Sequence, residues 1–560
     1  MRQSTEDRSR GEGQSEMAAS QTRDVPLLER EWPDAHAVLV RALRDPQCYP
    51  HPVGSVEHIE THISDLLLTG RYAYKLKKPL DLGFLDFSTL ADRRFYCLEE
   101  LRLNRRLAPE LYLDVVPITG TPSHPELGIE GEPIEYAVRM RQFDQSGLLD
   151  RVLARGELTA AHVDEIAQSV AQFHAGLPAA PADSAFGTAD SVMQPALQNF
   201  EQLQPLAERD ADKALLRELN AWTRAQHETL ASLFELRRRD GFVRECHGDL
   251  HLANMVLIDG RVRIFDCIEF NPQLRWIDVV NEAAFLAMDL QQRQRGDLAW
   301  RFLNRYLEIT GDYPGVRLLR YYMVYRAMVR AKVAALRAVQ ADVGRSARQS
   351  LQAKCHAHLM LAQHLTTTAE PALLILHGLA GSGKTTVSQI ILEHVGAIRV
   401  RSDLERKRLH GLDEAARSGS KVGGGIYTRS SDAATYQRLA DLAQEAVRGG
   451  FTVLVDATFL AAIKREQFRS LAAKLGCPFA ILHVEAAESV LRERVARRAA
   501  GGTDASEANL AVLDRQLASQ DALSVEERSW TETFHTDHLD RAAIARQARG
   551  LMQRLASGII

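Results

Sequence analysis

The period of the apolar positions changes several times along the chain, and those changes mark its elements. The first residues, MRQSTEDRSRGEGQSEMAASQTRD, are polar and mixed in charge without an apolar run, the pattern of a disordered tail over residues 1–26. From Asp65, DLLLTGRYAYKLKKPLDL places short apolar runs on either side of Gly70, which predicts two strands joined by a turn. Ser88 then opens a helical pattern as its N-cap, with Phe95, Leu98, Leu101 and Leu103 near helical spacing. YLDVVPI from Tyr112 and IEYAVRMRQF from Ile134 read as two further strands. Helical periodicity dominates from Leu148 to about Leu365, interrupted at FVRECHGDL, NMVLIDG and RVRIFDCIEF, which read as loop and short strands. YYMVYRAMVRAKVAALRAV, from Tyr321, is the most evident long helix.

The helical pattern stops at HLTTTAEPALL, where three threonines and Pro371 precede a new apolar strand. Beyond it, the strands ALLILHG, FTVLVDATF and FAILHVEA alternate with amphipathic helices, the order of an α/β unit with a parallel sheet. The boundaries that follow are a tail 1–26, a first lobe 27–145, a helical lobe 146–365, a linker 366–371 and a final domain 372–560. A chain of 560 residues exceeds one ordinary core and suggests roughly two to four domains. An apolar fraction of 45% with 25% charged residues is that of a soluble globular protein. The net charge of -4 gives no global field to hold a nucleic-acid backbone, so a nucleic acid is not the expected partner. Cys48, Cys97, Cys246, Cys267, Cys355 and Cys477 are scattered as reduced thiols would be. No run approaches the ~18 apolar residues of a membrane span, and no signal peptide opens the chain, so the expected location is the cytoplasm.

The final domain carries the more specific chemistry. An apolar strand runs into Gly378-x-x-x-x-Gly383-Lys384-Thr385, and a helical pattern follows. Gly378, Gly381 and Gly383, with Ser382 between the last two, let backbone N–H groups surround phosphates, and Lys384 reaches the β- and γ-phosphates. The Thr385 hydroxyl, followed by Thr386, completes a magnesium shell. Asp456 ends the strand FTVLVD, where a second carboxylate meets the ion. Asp403 ends the strand predicted at VRSD and either faces an acceptor hydroxyl or caps the next helix. Arg494, Arg497 and Arg498 in LRERVARR either close over triphosphate as a lid or form a solvated face. SKVGGGIYTRSS reads equally as a substrate loop or an idle one. These residues resemble the small P-loop kinases, such as gluconate kinase, and the kinase-like AAA-type domains of zeta toxins and polynucleotide 5′-kinases, over residues 371–540. The resemblance implies ATP-dependent phosphorylation of a hydroxyl and leaves the acceptor open.

The second device is ECHGDLHLANMVLIDGRVRIFDCIEF, residues 245–270. Phosphoryl transfer needs an acidic group beside the acceptor and oxygen ligands for magnesium. Asp249 supplies the first, and Asn254 and Asp266 the second. The spacing His247-Gly-Asp249-x-x-x-x-Asn254 resembles protein kinases and, more closely, the aminoglycoside and choline phosphotransferases, over about residues 30–365. That resemblance implies a bilobal α+β fold. It also implies a strand lysine for ATP (Lys75), a helical glutamate to fix it (Glu100, with Glu99 the alternative) and a supporting aspartate, Asp278. Lys75 also reads as one of a solvated cluster with Lys77 and Lys78. The chain departs from the family in lacking G-x-G-x-x-G and in CIEF after Asp266. Glu269 is there either a further ligand or a structural partner for an arginine. Cys246, His247, His251 and Cys267 do not make a zinc site on this reading, because such residues brace loops and fill cores.

The expected fold class is therefore a multidomain α/β chain, a bilobal kinase-like α+β domain followed by a P-loop NTPase domain with a parallel sheet. The expected function is a bifunctional ATP- and Mg2+-dependent phosphotransferase acting on small-molecule hydroxyl groups. Two alternatives stand beside it. In one, the N-terminal half is a pseudokinase controlling the P-loop half. In the other, the P-loop half phosphorylates nucleic-acid ends or nucleotide-sugars.

Overall fold

The computed structural model describes residues 32–557 except 82, 84, 341–342, 368–369, 415, 417, 421–423 and 502–508. The expected tail lies outside the described residues, as do residues 421–423 of SKVGGGIYTRSS. The chain forms two compact units, Met1–Cys97 with Asp114–Met140, and Leu98–Leu113 with Arg141–Ile560.

The first unit is organised by a six-stranded sheet of β1 (Glu57–Glu60), β2 (Ser64–Leu68), β3 (Tyr72–Lys77), β4 (Tyr112–Thr121), β5 (His124–Leu127) and β6 (Glu135–Arg141), in the order β1-β2-β3-β6-β4-β5. β2 and β3 are the antiparallel pair expected around Gly70. Leu67, Tyr74, Leu76, Ile118 and Ala137 bury one face of the sheet with Leu39 and Leu43 of the helix Trp32–Ala42. The helix Leu90–Asn104 is capped one residue later than expected, at Thr89 rather than Ser88. Thr89 Oγ1 accepts the Asp92 N–H at 3.1 Å, while Ser88 is turned back onto Asp86. Of the four apolar positions Leu103 is buried while Phe95 and Leu98 are exposed, and the helix also buries Arg93, Cys97, Glu100 and Asn104. The apolar spacing thus marks the buried side at Leu103 and misses it at Phe95 and Leu98.

The second unit holds two short antiparallel pairs. β7 (Val243–Glu245) pairs with β10 (Trp276–Asp278), and β8 (Met255–Ile258) with β9 (Arg261–Ile264). It also holds a parallel sheet of β11 (Leu373–His377), β12 (Ile398–Arg401), β13 (Val453–Asp456), β14 (Phe479–Glu485) and β15 (Thr531–His535), in the order β12-β13-β11-β14-β15. β11 and β13 are buried at every position, as parallel strands covered on both faces must be. The long helix is Val316–Ala338. One apolar core runs without a break from Leu286, Phe302 and Met323 of the helices to Ile375, Val400 and Val453 of the parallel sheet.

β12 lies at an edge of that sheet, and the helix Gly296–Thr310 covers it. Arg399 N donates to Asn304 Oδ1 at 2.6 Å, and Asn304 Nδ2 donates to Ala397 O at 2.9 Å. The Tyr313 hydroxyl donates to Arg399 O at 3.1 Å. These side chains stand in for a neighbouring strand, so backbone groups that would be left bare are satisfied.

Candidate active sites

The loop after β7 gathers the first set of predicted residues. Gly248 takes φ +88, and a Cβ there would meet Leu274 O at 2.9 Å, so only glycine turns the chain here without strain. Asn254 Nδ2 donates to Asp249 O at 3.0 Å and to its Oδ2 at 2.9 Å. Phe265 N donates to Asn254 O at 3.0 Å, which sets Asp266 beside Asn254. Asp266 has φ +66, unusual for a side-chain-bearing residue, and its N–H donates to the Tyr112 hydroxyl at 3.2 Å. His247 Nε2 lies 2.8 Å from Phe265 O, so the two loops are stitched together.

Burial pushes the Asp249 carboxyl up, but His251 and Arg330 beside it, with His247, outweigh that and hold it well below the usual carboxylate range. It is therefore an anion at neutral pH and can accept a hydrogen bond from a hydroxyl. Lys75 is buried on β3 of the first unit, and Glu100 is buried on the helix Leu90–Asn104 within the second. Glu99 pairs with Arg102 on the surface of that helix.

Asp278 caps the helix Val279–Gln292 and clamps Arg237 at 2.6 and 2.9 Å, while Asp312 takes the same guanidinium at 2.7 Å twice. Its support for the loop is thus structural. Glu269 is buried, and its backbone O accepts Arg275 Nη1 at 2.9 Å. Cys246 Sγ donates to Ile277 O, Cys267 Sγ to Leu103 O, and His251 Nε2 lies 3.2 Å from Asp249.

Sequence reasoning missed Glu282. Its carboxylate accepts the His247 N–H at 3.0 Å and the Gly248 N–H at 2.7 Å, and His174 Nε2 lies 3.0 Å away. His174, Cys246 and Glu282 lie close enough to hold a metal ion, yet each already has a protein partner. The site reads as a brace for the loop. Nothing local in the sequence pointed to Glu282, which approaches from a helix 35 residues beyond His247.

The second set converges after β11. Gly381 and Gly383 take φ +82 and +92, and a Cβ on Gly378 or Gly381 would strike Val484 O at 2.4 Å or Leu491 O at 2.7 Å. Gly383 is the N-cap of the helix Lys384–Ile391. Lys384 Nζ donates to Gly378 O at 2.9 Å and Leu379 O at 2.8 Å, lying over the loop. Burial lowers its pKa to about 8, although Asp456 and Asp403 act the other way. Ser382 Oγ is buried and, among the described residues, has no hydrogen-bond partner.

A cavity of about 320 Å³ opens over this loop, lined by Lys384, Thr385, Thr386, Asp403, Asp456 and Arg498 among others. That volume is at the small end of ligand cavities, which run ~300–1,000 Å³. Asp456 ends β13 as expected. Asp403 does not end a strand. β12 stops at Arg401, and Asp403 sits in the first turn of the helix Ser402–Leu409, whose N-cap is Arg401. Burial raises the Asp403 carboxyl above its ordinary range, and nearby Asp456 adds to the rise.

The three arginines of LRERVARR part company. Arg494 donates to Thr536 Oγ1 and O at 3.0 and 2.6 Å, and Thr536 in turn holds Ser382 O at 2.7 Å. Arg498 reaches the cavity wall, and Arg497 is three-quarters exposed. Arg406 and Asp432, paired at 3.0 Å, also line the cavity and were not foreseen.

The residues present fit a magnesium nucleotide. Thr385 and Asp456 are hard oxygen donors on one cavity, and the glycine cradle leaves room for phosphate where a side chain would collide. No described helix is long and apolar enough to cross a membrane.

Comparison with known proteins agrees with this division. Residues 97–319 match the phosphotransferase enzyme family, APH, and residues 373–523 match an AAA domain. The proteins Rv2004c of Mycobacterium tuberculosis (strain ATCC 25618 / H37Rv) and Mb2027c of Mycobacterium bovis (strain ATCC BAA-935 / AF2122/97) are each 30% identical over 500 residues, 88% of this chain and 98% of theirs. Among solved structures, a gluconokinase from Sinorhizobium meliloti 1021 is 23% identical, covering 34% of this chain and 95% of its own with a TM-score of 0.24. A choline/ethanolamine kinase family protein from Mesorhizobium loti is 11% identical, covering 59% and 98%, with a TM-score of 0.35.

Proposed function

We propose that this chain, which belongs to one family with the mycobacterial proteins it matches over nearly their whole length, is a bifunctional kinase. It joins an N-terminal phosphotransferase domain to a C-terminal AAA/P-loop domain and is an enzyme of the kinase and phosphotransferase class. Each half then moves the γ-phosphate of ATP to a hydroxyl group of a small molecule. The observation that carries this reading is the repetition of one donor set. Asp249 with Asn254 and Asp266, and Asp403 with Thr385 and Asp456, each set a carboxylate near further hard oxygen donors.

In the first centre Asp249, anionic at neutral pH, accepts a hydrogen bond from the acceptor hydroxyl and aligns it. Asn254 and Asp266 would hold Mg2+, and Lys75 with Glu100 the nucleotide. In the second, Lys384 and the backbone of residues 378–383 bind phosphate, with Ser382, Thr385 and Thr386 on the same turn. Asp403, its carboxyl raised by burial, faces the acceptor as a base. Arg498 adds positive charge from the wall, and Arg494 steadies the loop through Thr536. Thr385 and Asp456 would hold the magnesium ion, which would supply positive charge against that developing on the phosphate.

A screen of metabolite pools with labelled ATP tests this reading. Wild type is expected to label two classes of product, one lost in Asp249→Ala and the other in Lys384→Ala. Failure of the purified protein to bind ATP at either centre would end it. A second reading, in which the N-terminal half senses a ligand and controls the P-loop half, is favoured by the cover that Asn304 and Tyr313 give to β12. It predicts that Asp249→Ala leaves all turnover intact while Lys384→Ala removes it.

A further inference from the structure

The helix Gly296–Thr310 does more than cover β12. Glu308, near its C-terminal end, is buried and accepts Arg399 Nε at 2.9 Å and Nη2 at 2.6 Å. The third nitrogen of that guanidinium, Nη1, donates to Ser388 Oγ at 3.1 Å and lies 3.4 Å from Thr385 O. Ser388 Oγ in turn reaches Thr385 O at 3.0 Å and Asp456 Oδ2 at 3.2 Å. Glu308, Arg399, Ser388 and Asp456 are 3%, 4%, 0% and 6% exposed, so water does not replace these contacts. The path therefore begins on a helix of the phosphotransferase half and ends on the carboxylate and the turn assigned to magnesium in the P-loop half.

Charge explains why the path is held. Burial raises the Glu308 carboxyl, but Arg399 and Arg401 outweigh it and keep it below its ordinary range. Glu308 thus stays an anion and fixes Arg399 through two donors. The remaining donor fills a lone pair of Ser388 Oγ. The single Ser388 proton is then left for Thr385 O or for Asp456, both at the P-loop centre. Arg399 has no second carboxylate within ion-pair distance among the described residues, so Glu308 alone sets its position in this way.

We propose that Glu308 is a positioning residue for the P-loop centre, acting through Arg399 and Ser388 to orient Asp456 and the first turn of the helix Lys384–Ile391. The proposal rests on the reading of that centre as a magnesium–nucleotide site. The affinity of the P-loop half for its ion is then set in part by a side chain of the other half. Residues that orient a metal ligand from behind typically change metal affinity or activity by 10–100-fold when they are lost.

The test uses the full chain carrying Asp266→Asn, which removes a ligand of the first centre. Mn2+ is titrated in the presence of ADP and the free ion is followed by electron paramagnetic resonance. Glu308→Gln and Ser388→Ala are each expected to raise the half-saturating Mn2+ concentration about tenfold. Saturating Mg2+ is expected to restore the kcat of ATP turnover, so that the defect lies in the metal requirement. The double variant is expected to be no worse than the poorer single one, because the two act in series.

Arg301→Gln is the control. It removes another ion pair between the halves, with Glu393 at 2.8 Å, and is expected to leave the titration unchanged. A merely structural Glu308 would lower the melting temperature and leave the Mn2+ titration of the folded fraction where it was, which overturns the proposal. Should Glu308→Gln not fold, Ser388→Ala decides alone, since it leaves the contact between the halves intact. If Lys384→Ala fails to abolish the Mn2+–ADP site, the P-loop reading itself falls. If it abolishes the site and both variants titrate like the parent, the relay alone is lost.

Discussion

Lys384 offers a prediction whose size follows from the structure. Its ammonium lies on two loop carbonyls, and burial lowers its pKa to about 8. The shift runs against Asp456 and Asp403, which favour the charged form, and with Arg498, which opposes it. Below pH 8 the lysine is charged in both folded and unfolded chains, and the folded state carries the penalty. Between about 8 and 10.5 the unfolded chain binds more protons, so this group lets stability rise with pH.

Bound triphosphate reverses the preference, since its charge holds the lysine protonated. At pH 9 about nine-tenths of the empty centres are neutral, and recharging them costs about 1.4 kcal/mol, roughly a tenfold loss of affinity relative to pH 7. Calorimetry of ATP binding at pH 7 and pH 9, in the Asp266→Asn chain, reads that loss directly. Repeating it at pH 8.5 in buffers of different ionisation enthalpy is expected to show uptake of about 0.8 proton. Lys384→Arg stays charged throughout and is expected to flatten the profile. Equal wild-type affinity at both pH values, with no proton uptake, would refute the reasoning.

Three further outcomes follow from buried contacts. Arg237→Leu leaves Asp278 and Asp312 buried without their shared partner, and urea denaturation is expected to show a loss of about 3–5 kcal/mol. Gly248→Ala places a Cβ 2.9 Å from Leu274 O at φ +88, and is expected to cost about 1–3 kcal/mol and to abolish the Asp249-dependent activity while sparing the Lys384-dependent one. Glu282 is lowered to about 2, with burial opposing and His174 favouring the anion. Its contribution, up to about 3 kcal/mol, is present above its unfolded pKa near 4.5 and is lost as pH falls towards 2. Acid titration of wild type against Glu282→Gln should show that component only in wild type.

What the sequence made legible was what it encodes within a few residues. The strand, glycine loop and helix around Lys384 are contiguous, and so are the hairpin at Gly70 and the five-residue step from Asp249 to Asn254. Those elements sit where the patterns put them. Asp403 was misplaced because β12 ends two residues early, and boundaries are the weakest part of any pattern. Glu282, Arg237 and Glu308 left no local trace, because each acts on partners 34 to 108 residues away. For Arg399 a signal did exist. It stands in AIRVRS, between apolar residues of a strand with both faces covered, and a charge there calls for a buried counter-charge. Alternation alone could not say that the counter-charge lies on a helix of the preceding half.

That arrangement bears on why a phosphotransferase domain and an AAA domain share a chain. Had the P-loop half merely been appended, its edge strand would carry its own protection, such as charges facing solvent or a bulge. β12 has neither. Ile398, Arg399 and Val400 are buried, and the hydrogen bonds of Ala397 and Arg399 are met by Asn304 and Tyr313. Separating the halves would bare those backbone groups and strand Glu308 and Arg399 from each other, each exposed group costing about 1–3 kcal/mol if water could not reach it. The parallel sheet is therefore finished by the phosphotransferase half. Any ligand that shifts the helix Gly296–Thr310 acts on β12, and through Arg399 on the residues around the phosphate loop.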